Sequence, residues 1–482
     1  MASNFTLVDT AGWIYDLHSV YSAYIGYFQA RSIAWYERSW GHLFESFADF
    51  LSFNWPVITV TDKNTGKPHV VTRPHSVGAF LKMIKTRFGE TLPEAPNIQE
   101  VDPFETSQRH LRTIADYSSY SKLFATLPAV ALSAYKARVK AGDPSAIEAL
   151  WAQHDKTFLA IDFEWNERNE STVLEWGYAA VRSAHLHAVG AWPPEPAWNY
   201  RKGHYIVTEH VDKIVNKYCP TYPWSFGDSQ VIPKAQLPNV IQAVITSMMS
   251  PDSETVMNEL VLVVYGGSSG SSDLARLDEM KIKLPHNLLI VDVAAYERRL
   301  FDDGRRGSMV NPRTNTARQP HSTLSLQNLL LTFTMFPVFG NTLTLEPAKR
   351  QLLSTLLASC AFHNSGNDAF MTLFALQVLF EHGNIDIPQA RPSRNARAGT
   401  AIAGRRPVSM MGMPMVTSDM GAPHARPAMS RSATAGYMTT GYAVARPMSA
   451  APYDLSNEFG HLNLRSPGSR ASYNAPGTSS QR

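Results

Sequence analysis

The sequence predicts an α/β protein. A mixed sheet with helices on its faces is expected over residues 156–388, after a mainly helical region with one β-hairpin over 1–150 and before a disordered tail over 389–482. Three observations carry this reading. Short apolar, β-branched runs follow one another closely after Lys156, later apolar runs alternate with helix-spaced segments, and the composition changes abruptly near Gln389.

In the first region, Trp13, Tyr15, Tyr21, Tyr24, Tyr27, Phe28, Trp35 and Tyr36 fall at irregular three- and four-residue steps, as on helices whose aromatic stripe faces a core. Val57–Thr61 alternates and is β-branched, Asn64-Thr65-Gly66-Lys67 is a turn, and His69–Thr72 returns, so a hairpin interrupts the helices. Pro74 stops the second strand.

Thr157–Ile161 reads as a buried strand, Val173–Val181 as a second and Gly203–Thr208 as a third. Their short connections leave no room for crossover helices, so an antiparallel meander is expected. Strands at Leu260–Tyr265 and Leu288–Val293 then alternate with helices at Asp273–Lys283, Leu324–Phe333 and Ala369–Glu381. A meander followed by β-α-β-α gives a mixed sheet.

The chain has 482 residues with 44 Lys+Arg and 41 Asp+Glu. Residues 391–482 hold 11 Arg, no Lys and 3 acids, which leaves 33 basic against 38 acidic residues in the body. An acidic body thus carries a basic appendage. Arg without Lys, interleaved with Tyr437, Tyr442, Tyr453 and Tyr473, suits contact with phosphates and bases, and equally suits a solubilising tail. Cys219 and Cys360 form neither a disulfide framework nor a zinc spacing. No stretch reaches the roughly 18 apolar residues of a membrane span, and the N-terminus lacks a basic, apolar leader. An intracellular, non-membrane protein of the cytoplasm or nucleus is expected.

The chemistry lies in the second region. Asp162 and Glu164 are two apart on a strand and therefore share a face, about 7 Å apart along the backbone. Two carboxylates there repel unless a cation lies between them, and hard divalent cations prefer oxygen ligands. A solvated strand end fits the same pattern. Asp273 follows an apolar strand and a Gly/Ser run, where it also suits a helix N-terminus. His363 lies five residues before Asp368 at the start of an apolar helix, and Ser365 with Asp368 has the form of a capping box.

Taken in order, D-x-E on the first strand, an acid after a later strand, and H-x4-D at the last helix resemble the DEDDh group of 3′-to-5′ exonucleases, which have the ribonuclease H-like fold. The resemblance covers residues 156–388. It implies Asp162, Glu164, Asp273 and Asp368 as ligands of two divalent ions, Mg²⁺ or Mn²⁺, with His363 as general base. It also implies single-stranded RNA or DNA as substrate and nucleoside 5′-monophosphates as products. Leu174-Glu175-Trp176-Gly177 is similar to the group's second strand. The run from Ile161 to Glu170 is similar to a fungal branch that includes an Argonaute-associated exonuclease of quelling and a protein linked to mRNA export. An Argonaute-type or RNA-processing partner is implied on that ground.

The chain departs from the group in having Gly266-Gly267-Ser268 where many members have Gly-His-Asn, and Asp278 is the substitute should Asp273 point away. Arg201, Lys202, Arg305 and Arg306, with Arg313 and Arg318 on a Gly/Asn/Thr/Pro-rich loop, are the basic residues expected to track a strand's phosphates. The alternative is a non-catalytic nucleic-acid-binding scaffold on the same fold.

Overall fold

The run that opens at Thr157 extends past the five residues the sequence predicts. In the computed structural model it forms a ten-residue strand, β1 (Thr157–Asn166). The residues described are 6–30, 46–89, 91–92, 97–211, 213–218, 220, 222–266, 273–336 and 343–391. Trp35, Tyr36, Cys219, the loop 267–272 and the tail after 391, with its expected disorder and arginines, lie outside them.

A tight turn sends the chain back as β2 (Asn169–Arg182) and then β3 (Arg201–Val207), the expected antiparallel meander. β4 (Gln230–Ile232), β5 (Leu260–Val264) and β6 (Leu289–Asp292) complete a six-stranded sheet in the order β4-β3-β2-β1-β5-β6. β5 runs parallel to β1, β6 to β5, and β4 to β3, so the sheet is mixed as predicted. Three-residue β4 is too short to carry a periodic signal.

Alternation assigns the strand residues to two faces. Leu159, Ile161, Phe163, Trp176 and Leu262 pack with helix α1 (Leu237–Thr246). Phe158, Ala160, Ala179, Val181, Val261 and Val263 pack with the last helix. That helix, called α6 here (Ser365–Glu381), is preceded by α2 (Asp273–Glu279), α3 (Val293–Asp302), α4 (Leu326–Thr334) and α5 (Pro347–Ser359). α6 is buried from Ser365 to Leu379, which accounts for its near-continuous apolar sequence. Val139, Ile147, Leu150 and Trp151, from the two helices before β1, join the same core.

The N-terminal hairpin forms between Trp55–Thr61 and Pro68–Thr72 and is flanked by the short strands Tyr15–Asp16 and Arg112–Ile114. Trp13 and Tyr24 are buried as expected, and Tyr24 shares a core with Phe50, Trp55 and Phe80. No helix among the described residues is long and apolar enough to cross a membrane.

The loop 302–320 differs from the expected phosphate-tracking segment. It contains a small antiparallel pair, Val310–Asn311 with Thr316–Ala317. Arg318 is buried, and its two terminal nitrogens donate to Glu297 Oε1 at 2.6 Å and Oε2 at 2.7 Å. Arg306 is also buried, 3.4 Å from Glu297 Oε1 and donating to the Thr332 hydroxyl. Arg305 pairs with Glu148, and Arg313 is exposed. Three of the four arginines thus hold the loop to the fold, two of them as buried guanidiniums that need a carboxylate partner. Glu297→Gln would strand two buried cations. Urea unfolding should show a loss of about 3–5 kcal/mol, while Arg313→Ala stays within about 0.5 kcal/mol of the parent; equal midpoints for parent and Glu297→Gln would disprove the internal role.

Candidate active site

Asp162 and Glu164 stand inside β1, beyond the point where β5 stops pairing with it. The β5 register ends at Val263 opposite Ala160, so among the described residues the following edge of β1 has no strand neighbour on that side. The Phe163 N–H donates there to Asp273 Oδ1, 3.2 Å away, which draws the first residue of α2 onto β1. Asp273 therefore lies against β1 between Asp162 and Glu164.

On the other side, β1 pairs with β2 so that Asp162 faces Gly177 and Glu164 faces Glu175. All four lie on the face that α6 covers. A Cβ on Gly177 would lie 2.2 Å from the carbonyl of Ser365, and one on Gly366 would lie 2.8 Å from His204 and Trp224. These two glycines let the start of α6 rest directly on the strand backbone. The cap differs from the predicted Ser365 capping box: Asn364 is the N-cap, and its side chain accepts the Asn367 N–H at 3.0 Å. Asp368 is then free to turn toward the sheet, where its Oδ2 accepts the His363 N–H at 2.9 Å.

His363 has φ 64, the left-handed region, and its side chain is 53 % exposed. Its Nδ1 lies 3.9 Å from Glu164 Oε1, and one atom each of Glu164, His363 and Asp368 fall within 4.8 Å of one another. The chain thus brings together four of the predicted acids with His363 at the rim.

Crowding governs the electrostatics. Burial, reinforced by Asp273, Asp368 and Glu164, holds the Asp162 carboxyl well above the usual carboxylate range. Burial, then Asp368, Glu175 and Asp273, push Glu164 up to about 8. Burial raises Asp273 to about 7 against the opposing Phe163 N–H bond, and raises Asp368 to about 7 against the His363 N–H bond. Asp162 Oδ2 and Asp368 Oδ1 are buried without a hydrogen-bond partner. An all-oxygen set, mutually repelling and with orphaned lone pairs, fits hard divalent cations.

A consequence follows for stability. Acids whose folded values are raised stabilise the fold while protonated, below about pH 4, and lose that contribution as pH rises toward 7–8. The melting temperature gained on adding Mg²⁺ or Mn²⁺ should therefore grow between pH 5 and 8, by several degrees or about 5 °C. Thermal melts with and without EDTA measure it, and a gain independent of pH would contradict the carboxylate cluster.

Two members escape the sequence reading. Glu175 is 2 % exposed, and its Oε2 lies 2.9 Å from His204 Nε2 and 3.3 Å from the Asn364 side-chain nitrogen that donates to it. His204 Nδ1 continues to the Ser229 hydroxyl at 2.8 Å. An acid inside the apolar run Leu174–Trp176 is a signal for burial with a partner, but only the β1–β2 register puts it opposite Glu164.

The residues expected to track phosphates have different surroundings. Arg201 is exposed at the start of β3, three residues or about 10 Å along the strand from His204. Lys202 donates to the Ala197 carbonyl at 3.1 Å and lies over Phe370. Arg305 and Arg306 belong to the Glu297 and Glu148 contacts described above.

Residues 157–310 match the family described as DNA polymerase III subunit epsilon-like, C-terminal domain, of DEDDh type. That span includes Asp162, Glu164 and Asp273 and stops before His363 and Asp368. The match supports a nuclease-type domain of the DEDDh exonuclease kind, and with it divalent metal and nucleic-acid substrate. No curated protein matches the chain.

Proposed function

We propose that this protein is a 3′-to-5′ exonuclease that shortens single-stranded RNA or DNA and releases nucleoside 5′-monophosphates. The observation that carries the reading is the convergence of Asp162, Glu164 and Asp368 on one sheet face, with Asp273 at the edge of β1, beside a half-exposed histidine.

Asp162, Glu164, Asp273 and Asp368 would hold two divalent ions, Mg²⁺ or Mn²⁺, which when bound neutralise charge on the phosphodiester undergoing displacement. His363 would take a proton from the attacking water. The water oxygen bonds to phosphorus, the P–O3′ bond breaks, and the shortened strand leaves with a 3′-hydroxyl that regains a proton. Glu175, His204 and Asn364 fix the backbone next to His363, so its ring stays at the rim.

The exposed site edge favours a frayed or single-stranded end over a duplex, since the last nucleotide must reach the acids. A role in RNA silencing or RNA metabolism, with an Argonaute-type or RNA-processing partner, rests on the sequence resemblance alone. The test is a strand labelled at its 3′ nucleotide, in matched RNA and DNA forms, with Mg²⁺, Mn²⁺ or EDTA. Mononucleotide release that needs the metal is expected; an intact strand with both metals would favour the non-catalytic scaffold.

A further inference from the structure

A strap of chain between β3 and β4 is tied to both ends of the carboxylate site. At one end, buried Asn216 accepts the Glu167 N–H at 3.1 Å and donates to the Trp165 carbonyl at 2.8 Å. The Glu167 carboxylate in turn accepts the N–H groups of Lys217 at 2.9 Å and Tyr218 at 2.7 Å. At the other end, the Tyr222 carbonyl accepts from the side chain of Asn364, the residue after His363. Glu167 lies three residues past Glu164, about 10 Å along the strand.

On this hydrogen-bonded backbone several side chains face solvent. Tyr218 is 79 % exposed and Val215 80 % exposed, and Lys213 and Arg168 are exposed as well. Lys217 Nζ lies 5.5 Å from the centre of the Tyr218 ring. The nearby acids are engaged with backbone amides: Glu167 as above, and Glu209 with the Lys234 N–H at 2.8 Å. A large exposed aromatic face, on a hydrogen-bonded backbone and beside an ammonium, matches a nucleotide: the ring stacks on a base and the cation meets its phosphate.

We propose that Tyr218, with Lys217, is a stacking platform for a base of single-stranded nucleic acid just upstream of the nucleotide in the acid site. The proposal rests on the nuclease reading for the strand's direction and specifies where the strand leaves the site. Single strands are favoured because a paired base hides its face.

The test is fluorescence anisotropy on the full chain in Mg²⁺, with a 5′-labelled dodecamer of dT whose last linkage is a phosphorothioate. Tyr218→Ala should raise Kd by about 5- to 150-fold, the loss of one stacked base, and Tyr218→Phe should restore binding. Lys217→Ala should flatten the slope of log affinity against log salt by about 0.7. An unchanged Kd for Tyr218→Ala overturns the platform, as does a parent protein that binds no strand. If the parent shortens an ordinary strand while Tyr218→Ala binds normally, only the platform fails. If strands bind through Tyr218 yet are never shortened, the nuclease reading fails and the platform stands.

Discussion

Asp162→Asn is expected to lower mononucleotide release by about 10²–10³-fold or more, the scale on which loss of one electrostatic contact to a reacting centre acts. Asp162 sits between the other acids: Asp273, Asp368 and Glu164 all raise its proton affinity. Neutralising it removes the charge that the four-acid site shares most widely. The same crowding predicts the opposite effect on the fold. An unpartnered, buried Oδ2 among like charges is destabilising when ionised, so the metal-free Asn variant should melt at or above the temperature of the parent at pH 8. Loss of activity with retained or increased melting temperature separates a functional acid from a structural one. If the variant releases label as fast as the parent, Asp162 has no part in catalysis.

Gly177→Ala is expected to give the largest loss of stability of any single-methyl change near the site. The new Cβ would lie 2.2 Å from the Ser365 carbonyl and 2.4 Å from the Gly366 nitrogen, both backbone atoms that cannot swing aside. Either α6 lifts off β2 or the strand bends, at a cost of about 3 kcal/mol or more. A surviving fold would carry Asp368 and His363 displaced by an amount on the order of 1 Å, enough for about a 100-fold loss of rate. Gly78→Ala is the control: its Cβ meets nothing within 4 Å, and it lies inside the helix Pro74–Phe88. That change should stabilise by about 0.5–1 kcal/mol. Urea midpoints of the two variants should move in opposite directions, and a shift of the same sign and size in both would refute the close-packing account.

Legibility differed from residue to residue. Asp162 and Glu164 could be placed on one face from their spacing, because strand alternation is local. Glu175 stood in plain view in an apolar run, yet its place beside Glu164 depends on the register of a second strand. Ser365 and Asn364 are both good caps, and the choice of Asn364 follows from its contacts with Glu175 and the Tyr222 carbonyl, both far off in sequence. The places of Arg306 and Arg318 escape the sequence for a related reason. Arg306 and Arg318 look like solvent-facing charges on a polar loop until Glu297 on α3 is seen to receive them.

By itself, the sequence determined the mixed α/β architecture, the strand carrying two acids on one face, and the acid and histidine at the last helix. These are set by short-range periodicity and by residue types whose chemistry is fixed. Tertiary structure alone decided that β5 ends early enough to leave the Phe163 N–H for Asp273, that Gly177 lets α6 reach the sheet, and that Tyr218 is held beside the site. The physical reason is that hydrogen bonds, steric contact and charge repulsion act over a few ångströms in space. Which residues come that close is settled by strand register and helix docking across more than a hundred residues of chain.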